Sequence, residues 1–288
     1  METKELLKKI RRLEIKAKGL SKHIFSGEYH SAFKGRGMTF SEVRDYHYGD
    51  EVRTIDWNVT ARFNEPFVKV FDEERELTVM LVIDVSGSEN FGSAAKTKKD
   101  LALELAAVLS FSALSNNDKV GAIFVSDRIE KYIAPKKGKK HALLILRDLI
   151  ELEPKSKGTN LEEGLKFFRS IQKKRSIAFV ISDFIDNHDY IEGLKIARKK
   201  HDLVAIRLID EAEKTLPSIG LIQFFNAETG ETTWVNSNSE EAKKMHSTLY
   251  EKEETELLNG LQKSGIDFVS ISTSEDFIKP LIKLFQNR

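Results

Sequence analysis

The chain predicts an α/β fold: a doubly wound, mostly parallel sheet with helices on both faces. Three observations carry this. Continuous apolar, β-branched runs at Thr78–Val85, Ser176–Ser182 and Leu203–Ile209 read as strands buried on both faces, and Lys119–Val125 and Asp267–Ile271 read as further strands. Segments with helical periodicity separate most of them, the pattern that places parallel strands in one sheet. Three of the runs end at or beside an acid, Asp84, Asp183 and Asp210. In open α/β sheets ligands bind beyond the carboxyl ends of the strands, so these acids fall where binding or chemistry is expected.

Composition narrows the function classes. The 288 residues are 40% hydrophobic, enough for a sizeable core. Lys plus Arg (46) nearly balance Asp plus Glu (45), so a net charge of +1 gives no global reason to bind nucleic acid or an anionic membrane. The densest basic run, Lys136-Lys137-Gly138-Lys139-Lys140-His141, has no interleaved aromatics for base stacking. Cysteine is absent, which removes disulfides, thiolate metal sites and thiol nucleophiles and fits a reducing compartment. No apolar run approaches the roughly 20 residues of a membrane span, and Met1-Glu2-Thr3-Lys4-Glu5 does not open a signal peptide. The expected location is the cytoplasm.

In chain order, residues 3–20 carry Leu6, Leu7, Ile10, Leu13 and Ile15 among lysines and arginines. This is an amphipathic helix with a basic outer face, expected to pack rather than to lie on a membrane. From Gly27 to Phe71 glycines and aromatics alternate with a dense set of charges, read as turns and short strands. Burying such charges requires pairing, so this segment is expected to form an Arg/Asp network on the main domain, with a partner-docking surface as the rival reading. The expected division is residues 1–76 as this N-terminal part and 77–288 as the main domain.

Within the main domain, Thr97 and Asp100 suit a capping box for a helix to about Asn116 that is apolar nearly all round. Arg128 to Ile133 should pair with the 119–125 strand as a hairpin, followed by a helix over Lys139–Leu152. Further helices are expected from about Thr159 to Ser170 and over Ile191–Lys199. After Leu216-Pro217 the rhythm breaks. A hairpin, Leu221–Phe225 with Thr232–Asn236, and a polar helix from about Ser239 to Ser264 form an insertion over about 217–264 before the closing strand and helix.

The functional signal is Asp84-Val85-Ser86-Gly87-Ser88, with Thr159 and Asp183 on later loops at the same end of the sheet. A small hard cation such as Mg²⁺ takes about six oxygens and often keeps several waters. Alternation in an extended loop would aim the oxygens of Asp84, Ser86 and Ser88 the same way. Two carboxylates with three neutral hydroxyls leave one of about six positions free and ready to accept an acidic ligand from outside. Plain structural roles compete at each position. Thr159 with Glu162 could cap a helix, Ser86 and Ser88 could close turns, and Asp183 could cap the next segment.

These five residues resemble, in order and loop context, the metal-ion-dependent adhesion site of the von Willebrand factor A-like fold. The resemblance implies that Ser86, Ser88 and Thr159 touch the metal, that Asp84 and Asp183 act directly or through water, and that a partner's Asp or Glu completes the site. Upstream, Gly35-Arg36-Gly37, Phe40-Ser41-Glu42-Val43-Arg44, Tyr46, Gly49-Asp50-Glu51-Val52-Arg53, Ile55-Asp56-Trp57 and Thr60-Ala61-Arg62 resemble the bacterial domain-of-unknown-function family fifty-eight. Its members carry an A-like domain and are typically encoded beside MoxR-type AAA+ ATPases.

The implied function is a non-catalytic interaction module, an adaptor or co-chaperone of such an ATPase. Its cofactor would be a divalent cation, Mg²⁺ first and Mn²⁺ or Ca²⁺ as substitutes. Expected partner contacts are Glu89, where many A domains have Met and where an acid could also add a ligand or occupy the open position itself, together with Arg36, Arg44, Asp50, Arg53, Asp56, Trp57 and Arg62. The alternatives are a metal-dependent hydrolase or phosphatase using Asp84, and a metal-free scaffold docking through residues 27–71. Against the enzyme, no Gly-x-Ser-x-Gly elbow or Gly-x-x-x-x-Gly-Lys-Ser/Thr loop occurs, and the seven histidines are scattered.

Overall fold

A computed structural model describes residues 10–19, 39–72, 77–93, 96–225 and 232–288. The chain forms two compact units, 34–76 and the remainder. Arg36, Gly35 and Gly37, Leu6 and Leu7, and the turn of the 221–236 hairpin lie outside the described residues.

In the larger unit, six strands form one sheet: β3 (Thr78–Asp84), β4 (Lys119–Val125), β5 (Ile129–Lys136), β6 (Ile177–Ser182), β7 (Asp202–Ile209) and β10 (Asp267–Ser272). Their order is β10-β7-β6-β3-β4-β5, parallel throughout except for the β4–β5 hairpin. This is the doubly wound, mostly parallel sheet that the sequence predicts.

The period-two alternation of β3 splits its buried residues between two cores. Val79, Leu81 and Ile83 enter one with α3 (Lys98–Ser115), α4 (Lys139–Glu151) and α9 (Ile278–Gln286). Met80 and Val82 enter the other with α5 (Leu161–Ile171), α6 (Tyr190–Arg198) and α8 (Glu240–Lys263). Helix α3 is buried nearly all round, as its composition requires, and Thr97 and Asp100 form its capping box.

The helix at 10–19, α1, places Leu13 and Ala17 in the first core and pairs Lys16 with Glu104 at 2.8 Å. It therefore goes with the larger unit, whereas the sequence groups it with the segment up to residue 76. Ile15, counted among its apolar residues, is exposed.

Chain direction across the sheet reverses at β3: the chain runs from β3 out to β4 and β5, then returns to β6 on the other side. The carboxyl ends of β3 and β6 therefore flank the switch point, where loops diverge and leave a crevice. Close packing fixes the helix that follows the second site loop. A Cβ on Gly164 of α5 would lie 2.7 Å from Val125 Cγ2, so the helix backbone rides directly on β4. Gly164→Ala is accordingly expected to lower stability by about 1–3 kcal/mol despite the better helix propensity of Ala. Thermal unfolding checks this; an unchanged or raised midpoint would mean that α5 can back away from β4.

In the smaller unit, β1 (Thr39–Asp45) pairs antiparallel with β2 (Phe67–Asp72). A helix, α2 (Trp57–Phe63), stands where the sequence reads only turns and short strands. Asp56 starts it by accepting from the backbone N–H groups of Asn58 and Val59. An N-cap was thus hidden in what reads as one more acid of an ionic cluster. Arg44 and Asp50 do form a bidentate pair, both contacts at 2.8 Å. Arg44 and the His47 N–H together hold the Asp50 carboxyl down to about 2.

After β7 come a single helical turn, α7 (Glu211–Lys214), and the hairpin of β8 (Leu221–Phe225) with β9 (Thr232–Asn236), which leads into α8.

Candidate functional site

Three loops meet at the switch point, and one hydrogen bond joins each pair. Gly87 N–H donates to Lys157 O at 2.8 Å, linking the first loop to the second. Leu161 N–H donates to Asp186 Oδ2 at 2.7 Å, linking the second to the third. Asp183 N–H donates to Glu89 Oε1 at 3.1 Å, closing the triangle.

Asp84 ends β3 and is buried. Its Oδ1 accepts from Ser86 N–H at 2.9 Å and its Oδ2 from the Ser182 hydroxyl at 2.6 Å. Ser182, the last residue of β6, is a positioning residue with no local sequence signal. It also accepts from Phe184 N–H at 2.9 Å.

The chain after Asp84 departs from the extended loop expected of alternating ligands. Once Asp84 has taken the Ser86 N–H, Gly87–Asn90 curls into a 3-10 turn, with Glu89 N–H on Ser86 O. Ser86 and Ser88 still converge, their hydroxyl oxygens 3.1 Å apart.

Asp183 uses both carboxylate oxygens, Oδ1 on Ile185 N–H at 3.0 Å and Oδ2 on Lys98 Nζ at 2.7 Å. This tight return is possible because Phe184 sits at φ 61°, in the left-handed region that bulky residues avoid. Such a conformation costs on the order of 1–3 kcal/mol, and such strain clusters at functional sites. Thr159 is buried in the middle loop. It is not the helix cap; Asn160 caps α5, accepting from Glu163 N–H.

Glu89 is 1% exposed and turned inward, so it faces the acids rather than the surface on which the sequence places a partner contact. One oxygen of each of Asp84, Glu89 and Asp183 lies within 4.8 Å of the others. Glu89 Oε2 is buried without a hydrogen-bond partner among the described residues.

Burial, then the charge of Asp183, pushes the Asp84 carboxyl up to about 7. Burial and the neighbouring Asp183 and Asp84 push Glu89 well above the usual carboxylate range. The cation at this cluster is Lys98, also missed in the sequence, which bonds Asp183 and Glu213 at 2.7 Å each. Burial alone would pull its pKa down, yet Asp183, Glu89 and Glu213 together raise it.

Of the expected partner contacts in the smaller unit, Arg44 and Asp50 are tied to each other and Asp56 caps α2. Arg53, Trp57 and Arg62 are exposed, with Tyr48, Val52 and Phe63 as exposed apolar neighbours in the sequence. At the carboxylate site, Phe91 and Ile185 are 44% and 46% exposed, each two residues beyond a site acid.

The sequence matches the family described as "Protein of unknown function DUF58" over residues 42–256. It is 30% identical over 223 residues to an uncharacterised Mycobacterium bovis protein, Mb1516, covering 77% of this chain and 70% of that one. The same figures hold for Rv1480 of Mycobacterium tuberculosis. Among solved structures, an aerotolerance-related membrane protein from Bacteroides fragilis aligns with a TM-score of 0.49 at 15% identity, covering 74% of this chain and all of that one. The von Willebrand A domain of SpRpn10 aligns at 0.41 and 14% identity over 74% of this chain and 96% of its own. Among the described residues, no helix is long and apolar enough to cross a membrane.

Proposed function

The chain belongs to the DUF58 family of proteins of unknown function, and from that premise we propose a non-catalytic interaction module that binds an acidic residue of a partner protein through a divalent cation. The carrying observation is an imbalance of buried charge. Asp84, Glu89 and Asp183 cluster within 4.8 Å, the ammonium at the cluster, Lys98, is bonded to Asp183 and shared with Glu213, and Glu89 Oε2 has no donor among the described residues. Buried carboxylates need a counter-charge or a proton. The donor set, carboxylates with the hydroxyls of Ser86 and Ser88, suits a hard cation, with Mg²⁺ first and Mn²⁺ or Ca²⁺ as substitutes.

Asp84, Glu89, Ser86 and Ser88 would hold the ion, with Asp183 shared with Lys98 and Thr159 on the adjoining loop. A bound ion would supply a Lewis-acidic position for a carboxylate from outside. Phe91 and Ile185 supply an exposed apolar rim for the partner segment that carries it. The partner in this reading is a MoxR-type AAA+ ATPase, as the family resemblance implies, and the setting is cytoplasmic.

The test is binding of that ATPase, kept nucleotide-free so that its own Mg²⁺ requirement does not intrude, to the immobilised chain. Binding should be lost on chelation or with Asp84→Ala, and weakened by Ile185→Ser at unchanged cation affinity. Binding that ignores chelator and both variants would sink the mechanism. If it fell instead with Trp57→Ala, the exposed apolar residues Tyr48, Val52, Trp57 and Phe63 would support a metal-free scaffold. Phosphate- or carboxylic-ester turnover that dies with Asp84→Ala would make the site hydrolytic.

A further inference from the structure

Lys98 is fully buried, yet it occupies the first position of α3, the end of a helix where a cation opposes the macrodipole. Nothing local demands a lysine there. The helix start is already secured by the Thr97–Asp100 capping box and by Lys98 N–H donating to Phe91 O. What the side chain does is long-range. Its ammonium spans from Asp183, beyond β6, to Glu213 in α7, beyond β7. Glu213 is itself fixed, because its other oxygen accepts from Asp210 N–H at 3.2 Å.

The consequence for the carboxylate cluster is unequal treatment of its acids. Asp183 has both oxygens engaged, one of them by a full positive charge. Among the described residues Asp84 is held by neutral donors, and Glu89 retains an oxygen with no donor. A divalent ion approaching Asp183 would have to share an oxygen with an ammonium that repels it. The same ion would find no competing charge at Asp84 or Glu89.

We propose that Lys98 is the built-in first cation of this site: by holding Asp183 it directs a divalent ion toward Asp84 and Glu89 and sets how tightly that ion binds. The inference rests on the cation-binding reading above and deepens it, since it makes the site's affinity a property of one buried lysine. An ammonium and a divalent ion on one carboxylate oppose each other strongly where water is excluded. Lys98 therefore weakens the ion's hold while keeping the metal-free cluster folded.

The experiment is titration of Mn²⁺ and Mg²⁺ into metal-free wild type, Lys98→Met and Glu213→Gln, paired with thermal unfolding in chelator and in saturating Mn²⁺. Lys98→Met should bind Mn²⁺ about tenfold or more tighter than wild type. It should also unfold at a lower temperature in chelator and recover in Mn²⁺ by more than wild type gains. Glu213→Gln, with the fold and the ammonium intact, leaves that charge concentrated on Asp183 and should weaken Mn²⁺ by about threefold.

A folded Lys98→Met with unchanged or weaker affinity overturns the proposal. If Lys98→Met folds only when Mn²⁺ is present, the ion is replacing the ammonium and the proposal stands. If it does not fold even then, Glu213→Gln decides, and unchanged affinity in that variant overturns the proposal. Should wild type bind no ion, binding acquired by Lys98→Met would support Lys98 as the occupant while refuting the cation reading for the native chain. Absence of binding in every variant would overturn both.

Discussion

Asp84→Ala is expected to abolish divalent-cation binding, a loss of more than about a hundredfold, because it removes a primary carboxylate where loss of merely outer-shell partners costs about 10–100-fold. Asp84→Asn separates binding from folding. The amide keeps one oxygen for the Ser86 N–H and turns its NH2 toward the Ser182 hydroxyl, which then accepts, while removing one of the crowded buried charges. In chelator at pH 8 the Asn variant should therefore be more stable than wild type, by about 1–3 kcal/mol, in line with the release of a buried charge. Differential scanning calorimetry in chelator checks the stability half, and a less stable Asn variant would mean that the native site already balances its charge without an ion.

The second large effect is a pH dependence of the metal-free protein. Asp84 titrates near 7 in the fold against 3.8 for its ordinary carboxyl, so the native state keeps a proton that the unfolded chain has already released. Between those values the native state binds more protons, and stability falls as pH rises. The contribution is fully present below about 4, declines through the window and is gone above about 7. Glu89, raised by the same burial, adds in the same direction. Lys98, whose pKa is raised, stays charged throughout and loses its contribution only above the ordinary lysine range.

A shift of this size corresponds to on the order of 2–4 kcal/mol across the window, since one unit is about 1.4 kcal/mol and the coupled acids share protons. Saturating Mg²⁺ or Mn²⁺ should flatten the profile near neutral pH by stabilising the ionised acids. Chemical unfolding at steps from pH 5 to pH 8, with and without the ion, reads this directly. A metal-free profile that is flat or rises toward pH 8 would contradict the charge imbalance.

What the sequence revealed and what it hid divide by range. The central strands β3 and β6 were legible because each is a continuous apolar run, and the motif Asp84-x-Ser86-x-Ser88 was legible because its members are neighbours. Capping at Thr97 is equally local. Ser182 meets Asp84 from 98 residues away, and Lys98 meets Asp183 and Glu213 from 85 and 115 away. No periodicity encodes such pairings. The one trace that Lys98 left was a lysine at the wrong end of a helix.

Glu89 was visible as an unusual acid, but its direction was not. The 3-10 turn that carries it inward follows directly on the Ser86 N–H bonded to Asp84, and neither is marked by the local sequence. In the smaller unit, the charges that suggested a network concealed the N-cap of α2, because an aspartate that caps and one that pairs look alike in sequence.

The central claim is that this cluster of acids is built around a divalent ion. Isothermal titration of Mg²⁺, Mn²⁺ and Ca²⁺ into metal-free protein, beside Asp84→Ala, tests it most directly. The charge imbalance predicts about one ion per chain, bound by the wild type and lost in the variant. Equal binding by both proteins, or no binding by wild type under conditions where it is folded, would contradict the claim.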